Sequence, residues 1–584
     1  MHGFYGRVLV ADATRRACRA EEVPEEVLRG YWGGKGLGVW LLERHGLVGV
    51  DPLAPENPLI VLAGPVAGTP VPGSCRHALV TKSPQTGFFS ESYSGGKLAE
   101  KIARCGFDAV VVLGRADGPV VLEVGDGEAR FHDAEDLWGA DTYAAEEALV
   151  ERFGGPGRAG ACVIGPAGEN GVVLSIVAND RWRCAGRTGA GAVMGSKRLK
   201  GIVFHGTRAK SVADPEGLKA FARRVTAEHR ESPTAQTYRN YGTPNMVALL
   251  NTVGAFPARY WHKGRWDRSA EISADALLSR CEVKPRACAR CFLACGKLSR
   301  VKEGPYAGLV IEGPEYETIY AFGGLCEIAP IEAVAHLNDL CDRLGLDTIS
   351  AGNLVAFAME ASERGAIPER IPFGDVGAAE RLLGQIARRE GLGEVLSRGI
   401  RAAAREWGLE DVAIHVKGLE PAGYDPRVLQ GMGLAYATSD RGACHLRTTF
   451  YKAELSGQIA PDQVEGKAAL LVDYEDRLAL MDALVLCRFY RDFYGWELLG
   501  EIARLVLGVD GTRETLEATA RRIADAVRRF NLREGLTAED DGLPPRFFDE
   551  PLPETGAALR REDFERMRRE YYERRGWDPA GRPR

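Results

Sequence analysis

The segment Cys288-Ala-Arg-Cys291-Phe-Leu-Ala-Cys295 places three cysteines within eight residues. This spacing lets three thiolates converge on one side of a tight turn. That arrangement is typical of an iron–sulfur cluster whose fourth thiolate comes from a distant part of the chain. Zinc is the alternative, but a structural zinc site would require a second Cys or His pair at short, regular spacing, and none follows. The segment therefore favours a cluster over zinc.

Composition excludes several classes of protein. The chain has 584 residues, of which 45% are hydrophobic and 27% charged, values typical of an ordinary globular protein with several domains. The formal charge of -6 gives no electrostatic case for nucleic-acid binding. The basic run from Arg560 to Arg575 is interrupted by acidic residues, so it predicts a solvated helix rather than a polyanion site.

The distribution of apolar residues and cysteines predicts a cytoplasmic protein. No apolar stretch is long enough to span a membrane, and the opening Met1 to Thr14 has no apolar core of a signal peptide. The 13 cysteines are an odd number scattered along the chain. This pattern fits a reducing compartment in which most thiols are buried and a few bind metal.

The pattern of apolar residues changes along the chain from strands to helices, which predicts an α+β fold of three domains. Domain 1–210 is sheet-rich, whereas domains 211–417 and 418–584 are mainly helical. The predicted strands are Leu59–Leu62, Ala78–Thr81, Ala109–Leu113, Val120–Val124, Val172–Val177 and Ile202–Phe204. The predicted helices are Pro215–His229, Ile331–Leu344, Leu354–Arg364, Ala378–Glu390, Leu396–Trp407, Lys467–Cys487, Glu497–Leu507 and Arg513–Phe530.

One short pattern occurs twice, as Asp342-Arg-Leu-Gly345-Leu346-Asp347 and as Asp482-Ala-Leu-Val485-Leu486-Cys487. Each copy falls where an amphipathic helix is predicted to end. A carboxylate beside exposed backbone N–H and C=O groups suits a flat heterocycle rich in hydrogen-bonding groups. The pattern is also an ordinary way for a helix to stop, so taken alone it leaves the structural interpretation open.

Together with the cysteines, these motifs resemble the aldehyde ferredoxin oxidoreductase family. Members are tungsten enzymes that hold the metal between two pterins beside a four-iron, four-sulfur cluster. The resemblance extends over nearly the whole chain, in the segments Gly34–Gly38, Asp51–Asn57, Ala63–Pro65, Thr81–Pro84, Ile164–Asn170, Gly191–Lys197, Glu312–Glu317 and Tyr424–Arg427. It implies that the N-terminal domain forms the base for a bis-pterin cofactor.

The resemblance also assigns cofactor roles. Cys288, Cys291, Cys295 and Cys487 would bind the 4Fe-4S cluster. Tungsten, or molybdenum, would be held by two molybdopterins, with magnesium bridging their phosphates. The residues implied to contact the cofactor are Arg76, Ser94, Gly95, Gly96, Arg183, Gly186, Arg187, Gly189, Gly191, Asp342, Gly345, Leu346, Asp347, Asp482, Leu486 and Cys487. The glycines from 186 to 195 do not match a dinucleotide fingerprint, so they are interpreted as phosphate-packing positions.

Three residues match the family's substrate pocket, namely Glu317, His445 and Tyr424. A carboxylate in a partly dry pocket has a raised pKa and can take a proton from water, and His445 can donate a hydrogen bond to a carbonyl oxygen. Without the resemblance, an isolated Glu or His is more often structural. The resemblance implies oxidation of a small aldehyde to its acid, with electrons passing to ferredoxin or to an iron–sulfur subunit.

The sequence departs from the family pattern at three places. Val485 replaces a glycine, so either the backbone there is not left-handed or the cofactor sits differently. Tyr93 replaces an asparagine near magnesium. The pair Glu332 and His336 is out of register for the dimer-bridging iron, which is therefore not expected.

Two other functions and the oligomeric state stay open. The first alternative is the tungsten subunit of another low-potential system, such as aryl-CoA ring reduction. The second is an electron-transfer subunit that keeps only the cluster. A homodimer is compatible with the resemblance, but nothing in the sequence decides it.

Overall fold

Short β-branched segments form two six-stranded sheets near the N-terminus of the computed structural model, which describes residues 1–584. The strands are β1 (Arg7–Asp12), β2 (Ala17–Glu22), β3 (Leu59–Ala63), β4 (His77–Lys82), β5 (Phe89–Ser94), β6 (Ala109–Leu113), β7 (Val120–Gly125), β8 (Glu128–Asp133), β9 (Gly160–Val163), β10 (Val177–Asn179), β11 (Arg183–Ala185), β12 (Leu199–His205), β13 (Cys281–Arg286), β14 (Gly296–Val301) and β15 (Val310–Glu312). The first sheet has the order β2-β1-β6-β3-β4-β5, the second β11-β10-β9-β12-β7-β8, and β13-β14-β15 form a small third sheet.

The two large sheets share a core because their strands alternate between two faces. On β1, Leu9 points into the apolar layer that also contains Leu122 and Ile202 of the second sheet. Its neighbours Val8 and Val10 point the other way, into a core shared with helices from the C-terminal part of the chain. The first sheet is therefore buried on both faces, between the second sheet and C-terminal helices.

Helices occur throughout the chain and dominate it after β12. They are α1 (Glu25–Tyr31), α2 (Gly34–His45), α3 (Leu98–Ile102), α4 (Thr142–Arg152), α5 (Pro166–Glu169), α6 (Ala190–Ser196), α7 (Pro215–His229), α8 (Pro233–Tyr241), α9 (Met246–Val253), α10 (Ala274–Arg280), α11 (Tyr316–Thr318), α12 (Ile331–Leu344), α13 (Thr348–Glu363), α14 (Val376–Arg388), α15 (Leu392–Leu396), α16 (Ile400–Trp407), α17 (Gln430–Thr438), α18 (Tyr451–Leu455), α19 (Lys467–Leu484), α20 (Trp496–Leu507), α21 (Arg513–Arg533), α22 (Arg546–Asp549) and α23 (Arg561–Arg575). The predicted α+β class, sheet-rich first and helical afterwards, is confirmed. The domain boundaries at residues 210 and 417 stay predictions.

Two predicted elements differ from the structure. The strand at Val172–Val177 is wrong except at its last residue, because this segment bonds to a helix end instead of a neighbouring strand. The N–H of Ile176 donates to the carbonyl of Gly345, and the N–H of Asp347 donates to the carbonyl of Leu174, both at 3.0 Å. The single helix predicted at Leu396–Trp407 is interrupted at Gly399, whose φ is +86°.

The C-terminal basic run forms α23, as predicted, but it is not wholly solvated. Phe564, Met567 and Tyr571 are buried, and Arg575 forms an ion pair with Asp476 at 2.6 Å on α19. The opposite face keeps exposed charges. No helix in the structure is both long and apolar enough to cross a membrane.

Candidate active site

The three clustered cysteines lie on the loop between β13 and β14. Arg290 and Ala294 have left-handed φ values of 53° and 48°, so the chain turns sharply just before Cys291 and just before Cys295. Cys288 and Cys291 are half-buried and Cys295 is buried. The loop therefore presents thiols both toward the interior and near the surface.

Cys487, the distant fourth ligand of the prediction, lies against this loop. Its backbone N–H donates to the carbonyl of Gly73 at 2.9 Å, and the N–H of Gly73 donates to the carbonyl of Arg290 at 3.0 Å. Burial and then the neighbouring Cys487 raise the pKa of the Cys291 thiol. The fold thus brings residues about 200 positions apart into one cluster of thiols.

No three Cys, His, Asp or Glu side chains converge closely enough to hold one metal ion. A structural zinc ion requires such close convergence, whereas each thiolate of a four-iron cluster binds a different iron. Binding of a cluster by Cys288, Cys291, Cys295 and Cys487 stays a prediction.

A second group of predicted residues surrounds one cavity of about 420 Å³. Glu317, His445 and Tyr424 line it together with Arg76. Other residues of its wall are Tyr238, Thr243, Glu315, Tyr316, Leu446, Tyr451, Lys452, Arg488 and Phe489. Arg76, Glu317 and the pair of Tyr424 and His445 come from three parts of the chain more than 100 positions apart, and they meet at one place.

Glu317 and His445 have strongly altered acidity in this cavity. Burial raises the pKa of Glu317 to about 8, against the lowering effect of a 3.0 Å hydrogen bond from the Gly423 N–H. Burial, followed by the charge of Arg187, lowers the pKa of His445 well below its ordinary value. The Glu317 Oε1 and His445 Nε2 atoms are 3.5 Å apart. Near neutral pH the pair is thus a mostly protonated carboxyl beside a neutral imidazole.

These two side chains also keep unused hydrogen-bonding capacity. The Oε1 atom of Glu317 and the Nδ1 atom of His445 are buried without a hydrogen-bond partner. Tyr424 is held in place by stacking on Tyr451, with ring centroids 4.0 Å apart. The wall is therefore rigid on one side and offers free donors and acceptors on the other, as expected for a site that receives a small polar ligand.

The two Asp motifs form closely similar helix ends. Gly345 has φ 79° and ψ 44°, and Val485 has φ 58° and ψ 44°. The following N–H groups, of Leu346 and Leu486, each donate over 2.8 Å to the carbonyl five residues earlier, which completes the same cap. The backbone at Val485 is thus left-handed despite its side chain, and the first of the two outcomes considered for this position is wrong.

The two aspartates differ in their hydrogen-bond partners, which are neutral for Asp342 and cationic for Asp482. Asp342 accepts a hydrogen bond of 2.8 Å from Asn338. Asp482 accepts one of 2.7 Å from Arg447 and another from Arg488.

The predicted phosphate-packing glycines fit closely against the protein's own backbone. A Cβ added to Gly189 would lie 2.3 Å from the Val173 carbonyl oxygen, and one added to Gly191 would lie 2.4 Å from that of Ile176. Both positions therefore have a structural reason to be glycine. This reason stands beside any contact with phosphate, which stays a prediction.

Ser94, Gly95 and Gly96 follow β5 and lie next to the cysteine loop. The hydroxyl of Ser94 donates to Asn179 at 2.5 Å. The carbonyl of Gly96 accepts a 3.0 Å hydrogen bond from Ala289. A Cβ on Gly95 would lie 3.0 Å from the Cys288 sulfur. These residues therefore support the cysteine loop, and their contact with a cofactor stays a prediction.

Arg183, Gly186 and Arg187 connect the N-terminal sheets to the site. Arg183 forms an ion pair with Glu312, next to Cys288 and Cys295. The carbonyl of Gly186 accepts a hydrogen bond from Ser92.

Arg187 reaches furthest into the site. Its Nη1 atom donates to the Ala443 carbonyl at 2.8 Å, and its Nε atom is 3.6 Å from Asp347. Arg187 thus joins the first Asp motif to the segment that carries His445.

Buried arginines give the site a cationic interior, of which the resemblance predicted Arg76 and Arg187 but not Arg441, Arg447, Arg488 and Arg491. Each has a buried Nε atom without a hydrogen-bond partner. The set comprises Arg76, Arg187, Arg441, Arg447, Arg488 and Arg491. Arg447 and Arg488 already pair with Asp482, and Arg187 lies 3.6 Å from Asp347, but a buried N–H donor left without an acceptor is still costly. The interior therefore fits an anionic, hydrogen-bond-rich group such as a phosphorylated pterin.

Two signals in the sequence pointed to the missed residues. Arg488 and Arg491 follow Cys487 within an otherwise apolar segment, where buried charges are rare unless they are functional. Cys75, which precedes Arg76, was also missed, although its side chain lies against Cys288 and Cys487.

The side chains of Glu332 and His336 do not meet at a common partner. Glu332 pairs with Arg280, and His336 pairs with Glu380.

Models of one known family match almost the whole chain. Residues 8–206 match the model of the N-terminal domain of aldehyde ferredoxin oxidoreductase, and residues 220–584 match the model of its domains 2 and 3. The tungsten-containing aldehyde ferredoxin oxidoreductase of Pyrococcus furiosus is 36% identical over 100% of this chain and 98% of its own length. That of Thermococcus kodakarensis is 35% identical over the same shares.

More distant similarities involve other activities. The WOR-like subunit of an aliphatic sulfonate oxidoreductase from Pyrococcus furiosus is 30% identical over 100% of this chain and 96% of its own. The active-site complex BamBC of benzoyl coenzyme A reductase, solved with 1,5-dienoyl-CoA, has a TM-score of 0.85 at 24% identity. The comparison covers 100% of this chain and 96% of that one, and it shows a shared fold.

Proposed function

The chain belongs to the aldehyde ferredoxin oxidoreductase family, and on this premise we propose that it oxidises an aldehyde to the carboxylic acid and passes the electrons to ferredoxin. The family is tungsten-containing, so the metal in the proposal is tungsten rather than molybdenum. The observation that carries the proposal is the cavity at which Glu317, His445 and Tyr424 meet Arg76. The same Arg76 lies beside Cys487 of the thiol cluster.

The cofactors of the proposal have residues to hold them. Cys288, Cys291, Cys295 and Cys487 would bind the 4Fe-4S cluster. Asp342 and Asp482 would accept hydrogen bonds from the two pterins, and the buried arginines would meet anionic groups, with magnesium neutralising the phosphates. When bound, the tungsten centre would supply the capacity to accept two electrons, and the cluster would supply a path along which electrons leave one at a time.

The chain's own residues supply the proton chemistry. Conversion of an aldehyde and water into an acid releases two electrons and two protons. Glu317 in its deprotonated form would take a proton from water, because its raised pKa makes it a stronger base than an ordinary carboxylate. Neutral His445 would donate a hydrogen bond to the carbonyl oxygen. Tyr424, stacked on Tyr451, would limit the space available to the substrate.

The route out to ferredoxin would begin at the cysteine loop. Cys288 and Cys291 are only half-buried, and the loop borders an open cavity of about 1120 Å³. The cavity has a rim of mixed charge, with six basic side chains (Lys97, Lys101, Arg181, Arg183, Arg286 and Arg290) and five acidic ones (Glu100, Glu146, Glu147, Glu151 and Asp180). Such a rim suits approach of a small electron carrier to within transfer distance of the cluster.

The reaction itself is tested with the purified metal-loaded protein. We expect aldehydes to reduce both a viologen dye and ferredoxin, and aryl-CoA thioesters with a strong reductant to give no ring reduction. Ring reduction without aldehyde oxidation would support the ring-reducing alternative. The shared fold is the observation that favours that alternative. Iron without tungsten, together with no aldehyde activity, would support the cluster-only alternative.

The role of Glu317 is tested by Glu317→Gln. We expect unchanged metal content and kcat/KM lower by about 10² to 10⁴. In the parent protein kcat/KM should rise with pH and level off above about 8, because the active form of Glu317 is the deprotonated one. The matched control is Glu420→Gln, a buried carboxyl with a pKa raised to about 7 that does not line the cavity. An unchanged pH profile in Glu317→Gln would refute its role as base.

A further inference from the structure

Cys75 lies on a turn that joins the two thiol-bearing segments. The turn bonds to the cysteine loop through the N–H of Gly73, which donates to the Arg290 carbonyl, and to Cys487 through the Gly73 carbonyl. It is held from behind by Tyr494, whose hydroxyl donates to the Pro72 carbonyl at 2.6 Å. The position of Cys75 relative to both segments is therefore fixed by the backbone.

The side chain of Cys75 points into the thiol cluster. It is 1% exposed, and its thiol lies against the thiols of Cys288 and Cys487. Because sulfurs that bind iron are deprotonated, Cys75 is the thiol that keeps a proton to donate. Arg76, the next residue, lies beside the same two thiols and keeps a buried Nε atom without a partner. Five thiols thus meet where a four-iron cluster needs four.

We propose that Cys75 is a positioning residue whose thiol donates an S–H hydrogen bond to the cluster-binding sulfur atoms of Cys288 and Cys487. This hydrogen bond raises the reduction potential of the cluster. The inference rests on the cluster of the proposed function. Reduction adds one electron to the cluster, which makes its sulfurs more negative and strengthens the hydrogen bonds that they accept. A donor at Cys75 therefore stabilises the reduced form more than the oxidised form.

The decisive variants are Cys75→Ala, which removes the donor, and Cys75→Ser, which replaces it with a hydroxyl. The readouts are iron content, absorption spectrum and midpoint potential by EPR-monitored titration. We expect about four irons per chain in both variants. At fixed potential, Cys75→Ala should hold about tenfold less reduced cluster, a downward shift of about 59 mV for a one-electron couple. Cys75→Ser should restore most of that loss.

Cys105→Ala is the matched control, because Cys105 is a buried thiol in the same sheet region whose sulfur lies 3.3 Å from the Lys101 and Val124 carbonyl oxygens, away from the cluster. Its midpoint potential should equal that of the parent. Equal potentials in Cys75→Ala and the parent would overturn the inference. Loss of iron in Cys75→Ala would also overturn it, since Cys75 would then be a ligand. A parent protein without iron would instead overturn the proposed function together with this inference.

Discussion

The helix ends at 342–347 and 482–487 share one backbone conformation but have different surroundings. Both close with a left-handed residue, Gly345 in the first and Val485 in the second. The first carboxylate, Asp342, has neutral partners, whereas Asp482 is bound by two arginines. A repeated helix end thus fixes the position of a carboxylate, whereas the side chains around that carboxylate fix the charge of the site.

The last residues of the two motifs also diverge. Asp347 caps the next helix, accepting a 3.0 Å hydrogen bond from the Ser350 N–H. Cys487 instead turns toward the cysteine loop. Only the second motif therefore connects the proposed cofactor pocket directly to the thiol cluster.

The valine of the second motif is accommodated by glycines elsewhere. A Cβ on Gly34 would lie 1.8 Å from the Asp482 carbonyl oxygen and 2.7 Å from the Val485 side chain. A Cβ on Gly64 would lie 2.7 Å from the Cβ of Val485. Val485 is 1% exposed, so its burial offsets the strain of its left-handed backbone.

The largest difference between the motifs is expected at their last residues. Cys487→Ala should lower iron content below about four per chain and abolish viologen reduction, because one iron loses its thiolate. Asp347→Ala should keep the iron and cost about 1–2 kcal/mol of unfolding free energy, as expected for loss of a helix cap. Iron analysis and denaturation of both variants make the comparison. If Cys487→Ala kept about four irons per chain, the two motifs would not differ in metal binding.

A smaller difference is expected at the two aspartates. Asp482→Asn should lower the free energy of unfolding by about 3 kcal/mol, because Arg447 and Arg488 lose a buried anionic partner. Asp342→Asn should cost less than about 1 kcal/mol. Burial raises the pKa of Asp342 well above its ordinary range, so its charged form is disfavoured and the amide is a close replacement. If both variants lost the same unfolding free energy in urea denaturation, the contrast between the neutral partner of Asp342 and the cationic partners of Asp482 would be contradicted.

The smallest difference between the two motifs is expected at their left-handed positions. Gly345→Ala should cost about 1–2 kcal/mol from backbone strain, and its Cβ would also meet the Gly165 nitrogen at 3.0 Å. Val485→Gly removes a similar strain but loses about 1.5–3 kcal/mol of side-chain burial, so the net cost should be about 1 kcal/mol. Thermal denaturation of the two variants tests this. A stabilising Val485→Gly would show that the glycine-lined pocket does not offset the strain.

Local patterns in the sequence determined much of this protein. Short β-branched runs punctuated by glycine predicted β3, β4, β6, β7 and β12, and the 3.6-residue period predicted α12 and α19, because burial imposes a pattern within a few consecutive residues. Motif resemblance predicted the family and selected Glu317, His445 and Tyr424.

Tertiary contacts decided the remainder. Whether Val172–Ile176 forms a strand depends on the helix end at Gly345 to which it bonds. Whether Val485 tolerates a left-handed backbone depends on Gly34 and Gly64, more than 400 positions away.

The cationic interior and the fifth thiol depend on which distant side chains meet. The burial and charge of these groups result from which side chains come together, so residue spacing along the chain does not predict them. The sequence by itself therefore determined the elements and the family. Only the tertiary structure decided the acidity of Glu317, the charge around Asp482 and the position of Cys75, because each results from long-range packing.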